Sequence, residues 1–273
     1  PTGPAGARAI TSSQSSSAAP WRGTLGGPAP NCTCTTLALA DIGGKLRSAR
    51  AQLVRLDALL RTEADWTVVE RSPAYQKSKT LAERAAWDFA AEHPEGPELT
   101  VVNPGMVLGP ALSTATSTSH EPVRMLLGRQ VPGSPRVGWA TVDVRDLAVA
   151  HRLAMETPEA AGKRYICAGE HLWMRDLGRL LAEEFGPRGF RVPTRQLPDL
   201  LVRAIAVVDK TVRLTVPSLG QVERLSAERA ERELGWTMRP VRDSVRDTAE
   251  SLLRLGVVPM PAGARPLAEP AHT

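Results

Sequence analysis

The feature that most limits what this chain can fold into is a change of hydrophobic period between residues 75 and 105. From Thr80-Leu81-Ala82-Glu83-Arg84-Ala85-Ala86-Trp87-Asp88-Phe89 the apolar residues recur at helical spacing, and Pro94 and Gly96 close the element. Leu99-Thr100-Val101-Val102-Asn103 then forms a short β-branched run that stops at Pro104-Gly105. A helix, a buried strand and a Pro/Gly loop at the strand's carboxyl end is the layout of a parallel α/β sheet. Ligands in such sheets sit in the crevice outside the carboxyl ends of the strands.

The helix opens on Tyr75-Gln76-Lys77-Ser78-Lys79. Spacing i,i+4 puts Tyr75 and Lys79 on one face, one turn apart. A phenol ordinarily keeps its proton to about pH 10, and a neighbouring ammonium favours its ionised form. Such a pair can protonate a carbonyl oxygen as hydride arrives at carbon, or take a proton from an alcohol in reverse. The pair is also common by chance, so its weight comes from the helix and strand around it.

YQKSKTLAERAAWDFAAE followed by LTVVNPGMVLGPAL resembles the extended short-chain dehydrogenase/reductase superfamily, in its NAD-dependent epimerase/dehydratase group. Within that group it is most similar to the dihydroflavonol reductase and cinnamoyl-CoA reductase branch. VDVRDLAVAH from Val142, GKRYICA from Gly162 and RELGW from Arg232 agree, and the resemblance runs from about Asp65 to Val258. It implies an incomplete Rossmann-like, doubly wound parallel α/β sheet with a small, mostly helical C-terminal substrate lobe. It also implies an NAD(P)-dependent oxidoreductase working on a small-molecule carbonyl or alcohol. Tyr75 would be the proton donor, and Lys79 its modulator and a donor to the nicotinamide ribose. Pro104 through Val107 would form the loop at the nicotinamide end. NADP and NAD both stay open, because the residue that would discriminate them is not found. In this superfamily the Tyr-bearing helix commonly packs in a dimer interface, so a homodimer is a further expectation.

The cofactor half is harder to find. Only 74 residues precede Tyr75, too few for the usual βα units and their Gly-rich pyrophosphate turn. Gly3-Pro4-Ala5-Gly6-Ala7-Arg8-Ala9 spells a variant of that turn, but no strand precedes it and no helical pattern follows. Residues 1–40 carry no Asp or Glu and are rich in Ala, Gly, Pro, Ser and Thr, a composition that reads as a disordered low-complexity segment. Residues 41–64, with Leu46, Leu53, Leu56 and Leu60, read as a short amphipathic helix outside the family pattern. The resemblance calls instead for a strand ending in a Ser-containing loop. Ser48 lies at a tolerable distance from Tyr75 but inside the helical pattern, and Ser12 and Ser13 follow a Thr but lie far upstream, so no catalytic Ser is assigned. The chain opens on Pro, and with the change of character near residue 60 it reads as a fragment or as an upstream frame slip joined to a C-terminal portion.

Residues 65–170 are expected to hold the C-terminal part of the cofactor-binding domain, 171–258 the substrate lobe and 259–273 a flexible tail. Expected helices fall near 120–129, 174–185, 197–209, 226–234 and 241–255, with strands near 137–142 and 164–168. Asp143 reads as the N-cap of a helix through Met155. The net charge of +5 and pI near 9.5 are modest and the arginines are scattered, which argues against nucleic-acid binding. No apolar run approaches a membrane span. Cys32, Cys34 and Cys167 form no disulfide framework and no metal motif, which fits a reducing cytoplasm and no metal site. Two alternatives stay open beside the reductase: a catalytically silent remnant acting as a structural or interaction module, and a sugar-nucleotide epimerase or dehydratase.

Overall fold

The computed structural model describes residues 9–12, 60–115 and 117–264. In chain order they form β1 (Ala9–Ser12), α1 (Ala74–Glu92), β2 (Leu99–Pro104), β3 (Met106–Leu108), α2 (Glu121–Leu127), β4 (Gly138–Asp143) and α3 (Val144–Glu156). There follow β5 (Arg164–Cys167), β6 (His171–Trp173), α4 (Met174–Phe185), α5 (Asp199–Val208), α6 (Lys210–Thr215), α7 (Glu228–Leu234) and α8 (Val241–Arg254). Alternating helices and mostly parallel strands make this an α/β fold.

The strands form two three-stranded sheets, β1-β2-β5 and β3-β4-β6. The first is wholly parallel, with Val102 opposite both Ser12 and Tyr165. In the second, β3 and β4 run parallel and β6 pairs antiparallel to β4. One residue, Gly105, carries the chain from β2 into β3. Its amide donates to the Cys167 carbonyl at 3.1 Å, and a Cβ there would stand 2.3 Å from the Ala140 carbonyl oxygen. No side chain fits, so the crossing between sheets depends on glycine.

Buried positions explain the packing. Val102, Val142, Ala150, Ala154, Tyr165 and Trp236 form one core cluster, in which the alanines let α3 lie close to the strands. Trp236 is almost wholly buried and donates its indole N–H to the Asp146 carbonyl at 2.8 Å. A second cluster joins Leu126, Leu177, Leu181, Phe185, Val245 and Leu252 from α2, α4 and α8. Asp143 caps α3 as its position suggests, accepting from the Arg145 amide at 2.9 Å.

Several expectations change. Ala9–Ser12 is a strand, where residues 1–40 were expected to be disordered throughout; the rest of that segment lies outside the described residues. A four-residue strand draws its stability from pairing with β2, and its own composition gives no sign of that partner. Residues 60–64, the end of the expected helix over 41–64, are an isolated bridge and a turn, with Arg61 pairing to Leu225. Val107 lies in β3 opposite Val142, not in a loop. β6 and α6 are additional elements. Among the described residues no helix is long and apolar enough to cross a membrane.

Gly105→Ala is expected to destabilise the fold by about 1–3 kcal/mol, the usual cost of forcing atoms into a filled site. Urea unfolding followed by tryptophan fluorescence measures it; an unchanged midpoint would show that the crossing has room.

Candidate active site

The site is built on the first turns of α1 where they meet the carboxyl end of β2. Pro73 precedes the helix and no side chain caps it. Tyr75 therefore sits in a first turn open to solvent, with 58% of its surface exposed. Lys79, one turn on, is half-buried, and its ammonium lies 5.8 Å from the centre of the Tyr75 ring. A cleft of about 220 Å³ runs along this face. Tyr75, Lys79, Thr80 and Glu83 line it from α1, Asn103 and Pro104 from β2, with Trp66 and Arg164 among the rest. Of the four site residues read from sequence, the structure brings Tyr75, Lys79 and Pro104 to one cleft. Val107 does not line it; that side chain packs, half-buried, against the Val102–Tyr165–Trp236 cluster.

A buried carboxylate holds the cleft together. Glu83 is one turn beyond Lys79 and only 9% exposed. It accepts from Asn103 Nδ2 at 3.0 Å and from Trp87 Nε1 at 3.3 Å, and it pairs with Arg164 through both carboxylate oxygens. Arg164 also donates to the Glu63 carbonyl at 2.6 Å and stacks over Trp66, 3.9 Å from the ring centre. Glu63 in turn accepts from the Ile166 amide at 3.0 Å. The network spans α1, β2, β5 and the segment before α1. Asn103 Oδ1 is buried with no hydrogen-bond partner among the described residues, an acceptor left over at the cleft.

Sequence reasoning missed Glu83, Asn103 and Arg164. The available signal was Glu83 itself, a carboxylate four residues after Lys79 on the inward face of the helix, where an apolar residue is the usual occupant. Two titratable groups stand outside the site. Burial, and then the hydrogen bond to Glu233, pushes the Tyr165 phenol upward. Burial, with Glu63 adding to it, pushes the Cys167 thiol up to about 12, which makes it an inert core residue. His151 Nδ1 donates to the Leu147 carbonyl at 2.8 Å, a packing role.

The register adds a candidate. Ser12 lies opposite Val102, so β1 ends beside the carboxyl end of β2, one strand from the cleft. Distance along the chain had set Ser12 aside; pairing in space restores it. Ser13 and Ser48 lie outside the described residues.

No protein-family model matches the chain. Cinnamoyl-CoA reductase 1 of Petunia hybrida is 32% identical over 187 residues, which are 68% of this chain and 50% of that protein. NADPH-dependent methylglyoxal reductase GRE2 of Saccharomyces cerevisiae is 30% identical over 201 residues, 70% of this chain and 54% of that one. The solved structure of yeast methylglyoxal/isovaleraldehyde reductase Gre2 complexed with NADPH superimposes with a TM-score of 0.56 at 25% identity, covering 73% of this chain and 58% of that one. The chain spans about half the length of the curated relatives it matches. It is related to the reductases of the extended short-chain dehydrogenase/reductase superfamily, in the branch that holds the cinnamoyl-CoA reductases.

Arg164→Met should destabilise the protein by about 3–5 kcal/mol, because the buried Glu83 would lose its counter-charge. The double variant Glu83→Gln/Arg164→Met should recover part of that loss. Equal urea midpoints for wild type and the single variant would show that the pair does not hold the cleft.

Proposed function

We propose that this chain carries the proton-transfer half of an NAD(P)-dependent carbonyl reductase. The observation that carries the reading is the Lys79 ammonium 5.8 Å from the Tyr75 ring, in one cleft with Pro104 at the end of β2. The Tyr75 hydroxyl gives its proton to the oxygen of a small-molecule carbonyl as the carbon is reduced, and takes it back when the alcohol is oxidised. Lys79 stabilises the charge left on the phenol and donates to ribose hydroxyls. Ser12, at the end of β1, is the candidate for the Ser that the resemblance places beside the substrate carbonyl.

The cleft fits one end of the cofactor. Its volume of about 220 Å³ is below the few hundred to a thousand typical of a complete small-molecule site. It suits a nicotinamide and its ribose, and the unpartnered Asn103 Oδ1 is an acceptor for a donor on that end. A bound nicotinamide cofactor supplies the hydride; the protein orients it and handles the proton. NADP is the preferred form, since one relative, the yeast Gre2 reductase, is both named NADPH-dependent and solved with NADPH. The reading also takes in a cytoplasmic setting and a homodimer through α1, whose Leu81 and Phe89 stand exposed.

A second reading is a catalytically silent remnant, in which Tyr75, 58% exposed, is a surface residue of α1. Titration with NADPH and NADH by calorimetry separates the two: saturable binding supports the reductase, and no binding at about 10 mM cofactor supports the remnant. Where turnover of a small aldehyde or ketone is measured, Tyr75→Phe should abolish it and leave affinity within about twofold, since only the transferable proton is lost. Undiminished turnover in that variant would remove Tyr75 from the chemistry.

A further inference from the structure

A second cleft, of about 640 Å³, lies away from Tyr75, between the segment after α2 and the segment after α4. Val131, Pro132, Val192 and Pro193 give it apolar walls, and Arg129 and Arg191 give it two guanidinium groups. Neither guanidinium group has an ion-pair or hydrogen-bond partner among the described residues, and no carboxylate lines the cleft. Their neighbours differ: Arg124 pairs with Glu121, Arg136 with Asp199 and Arg188 with Glu250. Among the described residues, the two guanidinium groups that share the cavity are unpaired.

Backbone geometry singles out Arg129. Helix α2 ends in a Schellman arrangement: the Gln130 amide donates to the Met125 carbonyl at 2.9 Å, and the Arg129 amide to the Leu126 carbonyl at 3.2 Å. That arrangement puts Arg129 in the left-handed region, at φ 51°, the only non-glycine with positive φ among the described residues. Glycine is the unstrained choice there. The available glycine, Gly128, sits one position earlier with φ −77°. Strain retained at a non-glycine residue concentrates at functional sites. The cleft is also fixed in shape. The Ser134 amide donates to the Arg195 carbonyl at 2.9 Å and the Leu197 amide to the Ser134 carbonyl at 2.8 Å, which lashes the two segments together. Ser134 is fully buried, and the prolines stiffen both rims.

We infer that this cleft is a binding site for a phosphate ester with an apolar body, the phosphate held by Arg129 and Arg191 and the body lying on the Val and Pro walls. Two planar guanidinium forks match the several oxygens of a phosphate dianion, and loss of either breaks charge-assisted hydrogen bonds. Nothing in this inference depends on the Tyr75 site.

Calorimetry with phenyl phosphate as the probe, and with inorganic phosphate and benzoate for comparison, tests it. Phenyl phosphate should bind more tightly than either, because only it offers both a dianion and an apolar ring. Arg129→Gly and Arg191→Gln should each weaken it roughly tenfold or more, as expected for a lost charge-assisted contact. Arg152→Gln, which removes a surface cation paired with Glu156, should leave it within about twofold. Arg129→Gly keeps the left-handed turn favourable, so its urea midpoint should equal or exceed that of the wild type and loss of binding cannot be laid to unfolding. Binding of phenyl phosphate to either cleft variant within about twofold of wild type, no detectable binding at roughly 10 mM probe, or benzoate binding as tightly, would each overturn the assignment.

Discussion

The arrangement of this protein's candidate active site depends on one buried carboxylate. Helix α1 turns Thr80 and Glu83, not a row of leucines, toward the sheet, and both are buried. A carboxylate at 9% exposure is costly unless fully partnered. Glu83 meets that demand with Asn103 from β2 and Arg164 from β5. These directional bonds set where the helix sits, in a way that a greasy contact would not. Tyr75 and Lys79, two turns and one turn before Glu83, are carried to Pro104 as a consequence. The same network ties in the segment before the helix through Glu63 and Trp66.

The second constraint is the crossing at Gly105. It lets one run of chain serve two sheets, β2 in the first and β3 in the second. The cleft beside Tyr75 lies at the carboxyl end of β2, just before that crossing. Downstream, Asp143 caps α3, and Asp146 in its first turn accepts a bidentate pair from Arg239 at 2.7–3.0 Å. Trp236 closes the core beneath. These contacts join the helical C-terminal segments to the sheet that carries the site.

Long elements with strong periodicity were legible in the sequence. The helix from Tyr75, the strand from Leu99, the cap at Asp143 and the helices near 174–185 and 241–255 all stand where their patterns put them. Shorter elements were not. β1 and β6 are four and three residues long, and each exists because a neighbour pairs with it. β3 followed Pro104-Gly105 and so read as loop, because turn residues mark a break without saying that the strand resumes. At the site, the Tyr–Lys spacing and Pro104 were legible, but Val107 turned into the core. Arg164 and Asn103 escaped notice because their roles come from meeting Glu83 across 81 and 20 residues of chain. Spacing along one helix can be read from sequence; a polar network shared among three elements cannot.

Amide hydrogen exchange on the wild type and Glu83→Ala tests most directly whether that carboxylate holds the helix in place. The account predicts that amides of residues 78–90 lose protection selectively in the variant, while those of α8, packed in the other core cluster, keep theirs. Equal protection of α1 in both proteins would contradict it, and would mean that the helix carrying Tyr75 and Lys79 is positioned by something other than Glu83.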